Sequence, residues 1–387
     1  MKFSESVDYI YNLERHNKDF SLDNVKKVLK SIGNPEKKLR AVHVAGTNGK
    51  GSVCEMIERG LMEAGFKVGM YTSPHLQEFN ERIRINEELI AEEELGRLTD
   101  RLKQIQEDTG VELTFFEAAT VIAFIYFEEK KVDYAVVEVG MGGRLDATNV
   151  LKPLVSVITN ISLDHQNILG ETVEKIAHEK AGIIKKETPV VTNASGEVLE
   201  VIREYCFEKN CHLIIPETIE DVELGMQGSY QIENAATAIA VLKELGVKGT
   251  AIYEGLLKAK WPGRFEFVKD NILLDCAHNP KGMKTMLESV KELEYEKIYL
   301  ILGIMQKADH KGIIAEVKKS DAKIIITKPN MKNALPIEEL KGEFENATTS
   351  KSLKEAISIA KKKASDKDLI LITGSIFLIG EAREYFL

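Results

Sequence analysis

The sequence predicts an α/β fold in two parts: a larger domain built on a parallel sheet with a phosphate-binding loop, and a smaller Rossmann-like α/β domain after it. Short runs rich in apolar and β-branched residues alternate with helical stretches along the chain. Several of these runs are apolar almost throughout, as strands covered on both faces should be. Because strands that alternate with helices pair in parallel through right-handed crossovers, the alternation indicates parallel sheets.

The predicted strands are short apolar runs bounded by turn residues. They lie at 41–46, 67–73, 133–140, 154–162, 189–193, 212–216, 271–279, 297–304, 322–329 and 368–375. Helical segments at 51–65, 117–130 and 171–185 lie between the earlier runs. Pro262 and Gly263 then interrupt the helical pattern, and a new series of strands and helices follows. We therefore predict a first domain over 1–264 and a second domain over 268–387.

The composition is that of a globular protein without a general affinity for polyanions. A length of 387 residues supports two or three domains with a large buried core. The net charge of −9, from 52 basic and 61 acidic residues, predicts no binding to nucleic acid or to an anionic membrane. No apolar run approaches the roughly 18 residues that a membrane span needs, and the N-terminus lacks the apolar segment of a secretory signal. We expect a cytoplasmic protein.

The four cysteines favour free thiols in a reducing compartment, because they form no CxxC pair and are few for a chain of this length. Cys206, Cys211 and His212 lie close in sequence. A metal site at these three residues is the less favoured alternative.

A glycine-rich segment ends the first predicted strand and opens a helix, which is the arrangement of a P-loop ATPase domain. Its glycines let backbone N–H groups curl towards an anion, and the helix N-terminus adds a partial positive charge. Lys50 can reach the β- and γ-phosphates of a nucleotide. The strict GxxxxGK[ST] pattern is not met, because Val44 replaces the leading glycine and Gly51 stands at the hydroxyl position. The alternative is a glycine-rich turn with a surface lysine. The predicted nucleotide-binding residues here are Gly46, Thr47, Asn48, Gly49, Lys50, Gly51 and Ser52.

Polar residues follow the next three strands of the larger domain. Ser73 lies at the end of the second predicted strand, Glu138 lies near the end of the third and His165 follows the fourth. The carboxyl ends of parallel strands meet in the crevice where ligands bind. Serine and glutamate oxygens suit Mg²⁺, and a histidine indicates a second, mixed site. Each residue alone is typical of an ordinary turn, but together, beside a phosphate loop, they predict a magnesium site.

These segments resemble the folylpolyglutamate and dihydrofolate synthase branch of the Mur ligase superfamily. The matching stretches run in the expected order from about residue 43 to 282 and include HVAGTNGKGSV, YTSPHLQEFNERIRIN, VVEVGMGGRLDATNV, WPGRFEF and LLDCAHNPKG. The resemblance implies an ATP-dependent amide ligase that adds L-glutamate to folates, and also to dihydropteroate, through an acyl-phosphate intermediate. The implied cofactors are ATP and two Mg²⁺ ions, with a monovalent cation as a further candidate, and we expect a monomer.

The resemblance also implies a role for each matched position. Lys50 and its loop hold the ATP phosphates, Ser73 and Glu138 hold the first Mg²⁺, and His165 helps to hold the second. Lys180, in HEKAGI, matches a carbamylated lysine, a modification that turns an ammonium into an anion able to ligate metal. Lys50, Lys180 and His165 are therefore the implied catalytic residues.

Further positions match contacts to the nucleotide and the pterin. Those matched to the nucleotide are Asn234, Arg264, Asp275 and His278, so ATP would be held between the domains. Those matched to the pterin are Thr114, Phe116, Asp146 and Ala147. Phe116 could stack on a flat pterin ring or be an ordinary core aromatic, and Asp146 could hydrogen-bond the amino edge of the pterin. These residues suit dihydropteroate, a reduced folate, or both.

Three other classes of protein fit the sequence less well. A cell-wall Mur ligase typically carries an N-terminal UDP-binding domain, whereas about 42 residues precede the phosphate loop here. A P-loop kinase or regulatory GTPase gives no place to Arg264 or to the DCAHNP stretch, and no guanine-reading NKxD occurs. A catalytically inactive binding module is disfavoured because every expected catalytic position is filled.

Overall fold

The computed structural model describes residues 1–13 and 21–387. Contacts group these residues into two compact units. The first contains 1–224 and 233–259, and the second contains 225–232 and 260–387. The domain boundaries at 1–264 and 268–387 stay a prediction. None of the helices within the described residues is long and apolar enough to cross a membrane.

A largely parallel sheet forms the centre of the first unit. Its strands are β1 (Ala41–Ala45), β2 (Val68–Tyr71), β3 (Ile83–Ile85), β4 (Glu88–Leu89), β5 (Tyr134–Glu138), β6 (Val155–Ile158), β7 (Val190–Thr192) and β8 (Leu213–Ile214). They lie in the order β4-β3-β2-β5-β1-β6-β7-β8. Neighbouring strands of the series β2-β5-β1-β6-β7-β8 pair in parallel. At one edge of the sheet, β3 pairs antiparallel with β2, and β4 pairs antiparallel with β3.

Helices cover this sheet and complete the first core. They are α1 (Phe3–Asn12), α2 (Asp23–Ser31), α3 (Lys50–Glu63), α4 (Glu92–Thr109), α5 (Phe115–Lys130), α6 (Gln166–Leu169), α7 (Val173–Ala181), α8 (Gly196–Glu208), α9 (Tyr230–Glu244) and α10 (Gly249–Lys258). Short 3₁₀ turns occupy Pro35–Lys38, Phe79–Arg82 and Ala147–Val150. Helix α5 is buried over 118–127 because it is apolar on every side and α1, α2, α4 and the sheet pack around it. Helix α3 approaches α10 so closely that a Cβ on Gly255 would lie 2.6 Å from the Cα of Gly60.

The second unit is a Rossmann-like sheet flanked by helices. Its strands are β9 (Glu266–Lys269), β10 (Ile272–Asp275), β11 (Ile298–Leu302), β12 (Lys323–Ile326), β13 (Thr348–Thr349) and β14 (Leu369–Thr373), in the order β13-β12-β11-β14-β10-β9. Only β9 pairs antiparallel among the described strands of this sheet. The helices are α11 (Pro280–Val290), α12 (His310–Val317), α13 (Ile337–Glu343), α14 (Leu353–Lys363) and α15 (Ile376–Phe386).

The α/β fold with parallel sheets that the sequence predicts is confirmed. Each predicted apolar run contains a strand, and each predicted helical segment overlaps a helix. The pattern misses β3, β4, β9 and β13, because these are short edge strands or strands that mix apolar with charged residues.

Candidate active site

The carboxyl ends of the central strands of the first unit meet at one edge of the sheet. Strand register pairs Val44 of β1 with Glu138 of β5, and Tyr71 of β2 with Val137 of β5. The loops that leave these strands therefore emerge side by side. This edge carries the phosphate loop after β1, Ser73 after β2 and Glu138 at the end of β5.

Two glycines of the phosphate loop occupy positions that no other residue fits. Gly46 has φ +154°, and a Cβ there would lie 1.8 Å from Oγ1 of Thr159. Gly49 has φ +85°, and a Cβ there would lie 2.4 Å from Oδ1 of Asn234. Asn234, which the family resemblance assigns to the nucleotide, thus lies directly against the loop. A tight backbone curl that leads into the N-terminus of α3 fits an anion such as a phosphate.

The segment after β6 holds the loop in this shape. Thr47 N donates to Asn160 O at 2.7 Å, and Asn48 N donates to Asn160 Oδ1 at 3.1 Å. Thr159 Oγ1 donates in turn to the carbonyl of Asn48 at 2.7 Å. Sequence reasoning misses Thr159 and Asn160, because they lie more than a hundred residues from the loop that they hold. The only signal available is their position directly after a strand.

Lys50, Glu138 and Ser73 lie together at this edge. Lys50 Nζ lies 3.9 Å from Glu138 Oε1 and donates to the carbonyl of Thr47 at 3.2 Å. Glu138 is only 4% exposed, and its other oxygen, Oε2, accepts a hydrogen bond from Ser73 N at 2.9 Å. A buried carboxylate beside a serine is a donor set that suits Mg²⁺, which takes one or two protein ligands together with phosphates and waters.

His165, the other predicted metal ligand, begins α6 in a left-handed conformation with φ +49°. Its side chain is half exposed, and Nε2 lies 3.8 Å from Asp164 Oδ1. No group of three or more His, Cys, Asp or Glu side chains with the spacing of a metal site occurs among residues 1–13 and 21–387. The metal site formed by Ser73, Glu138 and His165 stays a prediction.

Lys180 lies beneath the phosphate loop. It is 5% exposed, and its Nζ donates to the carbonyl of Gly46 at 2.7 Å. Burial, and then the charge of Lys50, lower the pKa of Lys180 to about 7, while Asp164 and Asp146 act in the opposite direction. At neutral pH a large fraction of this amine is therefore uncharged and nucleophilic.

The residues matched to a pterin lie around the start of α5 and the loop after β5. The ring of Phe116 covers Gly140, where a Cβ would lie 2.5 Å from Phe116 Cζ. Gly140 lies two residues beyond Glu138, so the half-buried ring of Phe116 covers the start of the loop that follows β5. Thr114 caps α5, because its Oγ1 accepts from Glu117 N at 3.4 Å.

Asp146 is buried, and its carboxylate is oriented by its own loop. It accepts hydrogen bonds from Met141 N and Thr148 N, both at 3.0 Å, and from Thr148 Oγ1. Burial raises the pKa of Asp146, and these hydrogen bonds oppose that rise. Ala147, the next residue, is also buried.

In the second unit, Asp275 ends β10 as a buried acceptor. Its Oδ2 accepts from Tyr230 Oη and from Phe265 N, both at 2.9 Å, and its Oδ1 accepts from Ala277 N at 2.8 Å. Burial raises the pKa of Asp275, and the nearby charge of Arg264 acts most strongly against that rise. Arg264 and Asp275 are therefore electrostatic partners within this unit.

His278 follows Asp275 in the same loop. Its Nδ1 lies 2.9 Å from the carbonyl oxygen of Cys276. A carbonyl can only accept, so Nδ1 carries a proton. This hydrogen bond orients the ring of a residue that the family resemblance assigns to the nucleotide.

Known proteins match both units of the chain. The Mur ligase middle domain matches residues 44–215, and the glutamate ligase domain of Mur ligases matches 263–376. A dihydrofolate synthase/folylpolyglutamate synthase of Bacillus subtilis is 34% identical over 94% of this chain and 94% of its own length. A folylpolyglutamate synthase of Lacticaseibacillus casei is 33% identical over 100% of this chain and 99% of its own length. A probable bifunctional folylpolyglutamate synthase/dihydropteroate synthase of Haloferax volcanii is 32% identical over 99% of this chain, which spans 50% of that relative.

Solved structures give the same likeness. Escherichia coli FolC in complex with DHPP and ADP superposes with a TM-score of 0.93 at 30% identity, over 100% of this chain and 97% of that one. Mycobacterium tuberculosis folylpolyglutamate synthase complexed with ADP has a TM-score of 0.92 at 29% identity, over 99% of both chains. Both likenesses extend over nearly the whole chain.

Proposed function

Because this chain belongs to the folylpolyglutamate and dihydrofolate synthase family of Mur ligases, we propose that it joins L-glutamate to a pterin-bearing carboxylate at the expense of ATP. The observation that carries the proposal is the edge where a phosphate loop, Lys50, the buried Glu138 and the buried Lys180 come together. Relatives with this activity are similar along the whole chain.

The chemistry requires activation of a carboxylate, which is a poor electrophile. Transfer of the γ-phosphoryl group from ATP to a carboxylate oxygen forms an acyl phosphate and releases ADP. The amine of glutamate then attacks the acyl carbon, the amide forms and inorganic phosphate leaves. Two anions must be brought together in the first step, and Lys50 at the start of α3 is placed to offset their repulsion.

Ser73, Glu138, a carbamylated Lys180 and His165 are the residues that would hold Mg²⁺ at this edge. The buried Glu138 carboxylate and the adjacent serine fit a hard cation that keeps phosphates as its other ligands. When bound, Mg²⁺ neutralises charge on the transferring phosphoryl group. The remaining positioning falls to the phosphate loop, which Thr159 and Asn160 hold rigid.

Carbamylation of Lys180 is supported by the surroundings of its amine. Reaction of an amine with CO₂ forms an N–C bond and releases one proton, and it requires the uncharged amine. Burial and the charge of Lys50 both favour that uncharged form. The resulting carbamate is an anion, so the modification replaces a second cation near Lys50 with a ligand for metal.

We also propose that the enzyme accepts both dihydropteroate and reduced folates. The Bacillus subtilis relative carries both activities in its name, and the Escherichia coli structure holds DHPP. In this chain Phe116 and Asp146 flank the same β5 loop and offer an aromatic face and a carboxylate. A cytoplasmic location and a monomeric state stay predictions.

An ATP-hydrolysis assay tests the proposal. The enzyme is given dihydropteroate or tetrahydrofolate, each with and without L-glutamate, and release of ADP is measured together with the mass of the product. We expect sustained ADP release to need both glutamate and a pterin-bearing substrate, with a product heavier by one glutamyl residue. Absence of glutamate-dependent turnover with both substrates would overturn the proposal.

A further inference from the structure

The loop from β2 to β3 carries Ser73 at one end and Arg82 at the other. Backbone pairing joins the two ends, because Thr72 N donates to Arg82 O at 3.0 Å. The next residue, Ser73, donates its own N–H to Glu138. Arg82 thus directly precedes β3, at the same edge of the sheet as the residues of the candidate active site, and the charge of Glu138 acts on it.

The guanidinium of Arg82 is buried without a carboxylate partner. Arg82 is 6% exposed, and its charge lies over the rings of Phe115 at 5.1 Å and Phe79 at 5.8 Å. Its Nε donates to Nδ1 of His75 at 2.8 Å. Within the described part of the chain no carboxylate oxygen lies within 4.0 Å of its nitrogens, and its Nη groups donate no hydrogen bond. A buried charge of this kind is costly unless an anion pairs with it.

His75 holds this guanidinium in one orientation. An arginine N–H can only donate, so Nδ1 of His75 must accept and the imidazole proton must be on Nε2. That Nε2 lies 2.9 Å from Tyr11 Oη, which therefore accepts from it. The ring of Tyr11 stacks on Phe115 with centroids 5.2 Å apart and planes 15° from parallel. Because Nε is occupied by His75, Arg82 presents Nη1 and Nη2 as a fork of donors.

We propose that Arg82 binds a carboxylate of the pterin-bearing substrate through this fork, and that His75 is the positioning residue that holds it there. A planar fork of two N–H donors matches the two oxygens of a carboxylate. Phe115, under the guanidinium, is followed directly by Phe116, the residue that we propose stacks on the pterin. The ring under the cation and the aromatic face offered to the pterin therefore come from adjacent residues at the start of α5.

The inference rests on the proposed function and deepens it, because it names the chemical group of the substrate that Arg82 binds. Dihydropteroate has a single carboxylate, the one that is phosphorylated. A folate monoglutamate has a reacting γ-carboxylate and a non-reacting α-carboxylate. A loss on both substrates would assign Arg82 to the reacting group, and a loss on folate alone would assign it to the α-carboxylate.

Steady-state kinetics of Arg82→Gln test the site on both substrates, with ATP varied separately. We expect KM for at least one pterin-bearing substrate to rise about tenfold or more, which is about 1.4 kcal/mol, while KM for ATP stays within about twofold. Arg101→Gln is the matched control, because Arg101 is an exposed arginine of α4 that pairs with Glu129. Its kinetics should equal those of the unmutated enzyme.

Two variants of His75 separate positioning from folding. His75→Leu removes the acceptor, and its KM should rise in the same direction as that of Arg82→Gln. His75→Asn can still offer an oxygen near the position of Nδ1, so its KM should rise less. An increase of KM for ATP alone in Arg82→Gln, or unchanged KM values for every substrate, would overturn the inference.

Equilibrium binding keeps the inference testable if turnover itself fails. Binding of dihydropteroate and of tetrahydrofolate to the unmutated protein and to Arg82→Gln, followed by calorimetry without ATP, needs no catalysis. Weaker binding by the variant supports the site even where no ligation occurs. Equal binding of both ligands by both proteins, with unchanged thermal unfolding, refutes it without bearing on the ligase activity.

Discussion

Replacing Lys180 by Met perturbs the amine that is buried beneath the phosphate loop. The pKa of Lys180 is lowered from 10.5 to about 7 by burial and by the charge of Lys50. In the unfolded chain the pKa returns to its ordinary value, so between these two values the unfolded state binds more protons. As far as Lys180 is concerned, stability therefore rises with pH from about 7 to 10.5, and near pH 7 this residue lowers the free energy of unfolding by roughly 4 kcal/mol.

Lys180→Met removes this penalty and loses the hydrogen bond from Nζ to Gly46 O, which contributes about 1 kcal/mol. The variant should therefore gain about 3 kcal/mol in the free energy of unfolding, and its unfolding temperature should rise by several degrees. Its ligase activity should fall at least about 10²-fold, since the predicted metal ligand is gone. If both results are obtained, Lys180 lowers the free energy of unfolding and is needed for turnover, so its role is chemical and not structural.

The measurement is thermal unfolding followed by circular dichroism in CO₂-free buffer across about pH 6.5 to 9, so that the unmodified amine is compared. The stability of the unmutated protein should increase with pH more steeply than that of the variant. Lys185→Met is the matched control, because the pKa of Lys185 is also lowered, to about 8, yet its Nζ binds Asn149 and not the phosphate loop. A Lys180→Met variant that unfolds at a lower temperature and ligates normally would refute the reasoning.

Three further substitutions test the phosphate loop and the pterin residues. Lys50→Ala should lower turnover about 10²–10³-fold at saturating ATP with unchanged circular dichroism, and near-normal turnover would contradict its role. Gly49→Ala should raise KM for ATP, since a Cβ at φ +85° would lie 2.4 Å from a side-chain oxygen, whereas Gly65→Ala, at φ +88° with open space around it, should not. Phe116→Ala and Asp146→Ala should each reduce kcat/KM for dihydropteroate about tenfold more than for tetrahydrofolate if the pocket serves dihydropteroate alone, whereas equal losses on both substrates would indicate one shared pocket.

Much of the fold could be predicted because the inner strands are continuous apolar runs. Strands β1, β5 and β14 are buried along their whole length, so nearly all of their residues are apolar and the strands can be recognised from the sequence. Strand β3 is harder to recognise from the sequence, because Arg84 lies at its centre and pairs with Glu55 and Glu58 of α3. A charged residue in a strand is explained by its partner on another element, and local sequence does not contain that partner.

The family and the ligase class are confirmed by the relatives, whereas individual roles within the site remain predictions. Site residues at strand ends can be predicted from the sequence, because parallel strands bring their carboxyl ends together. Lys180 was accessible only through resemblance, since by local pattern it is a lysine in a helix. Its burial depends on the loop after β5, where a Cβ on Gly143 would lie 2.7 Å from Glu179 O.

The charges at the edge of the first sheet give one reason why such residues belong together. Lys50 and Arg82 both act electrostatically with Glu138, and Lys50 in turn disfavours a charge on Lys180. Asp146 and Asp164 also act on Lys180, and Glu81 acts on Arg82, so this edge of the sheet holds charges of both signs. ATP and a substrate carboxylate would bring further negative charge, and Lys50 and Arg82 are placed to offset the repulsion between these two anions. Burial and the charge of Lys50 favour the neutral amine that Lys180 needs for carbamylation. Lys50 is thus placed both to bind phosphates and to prepare the proposed metal ligand.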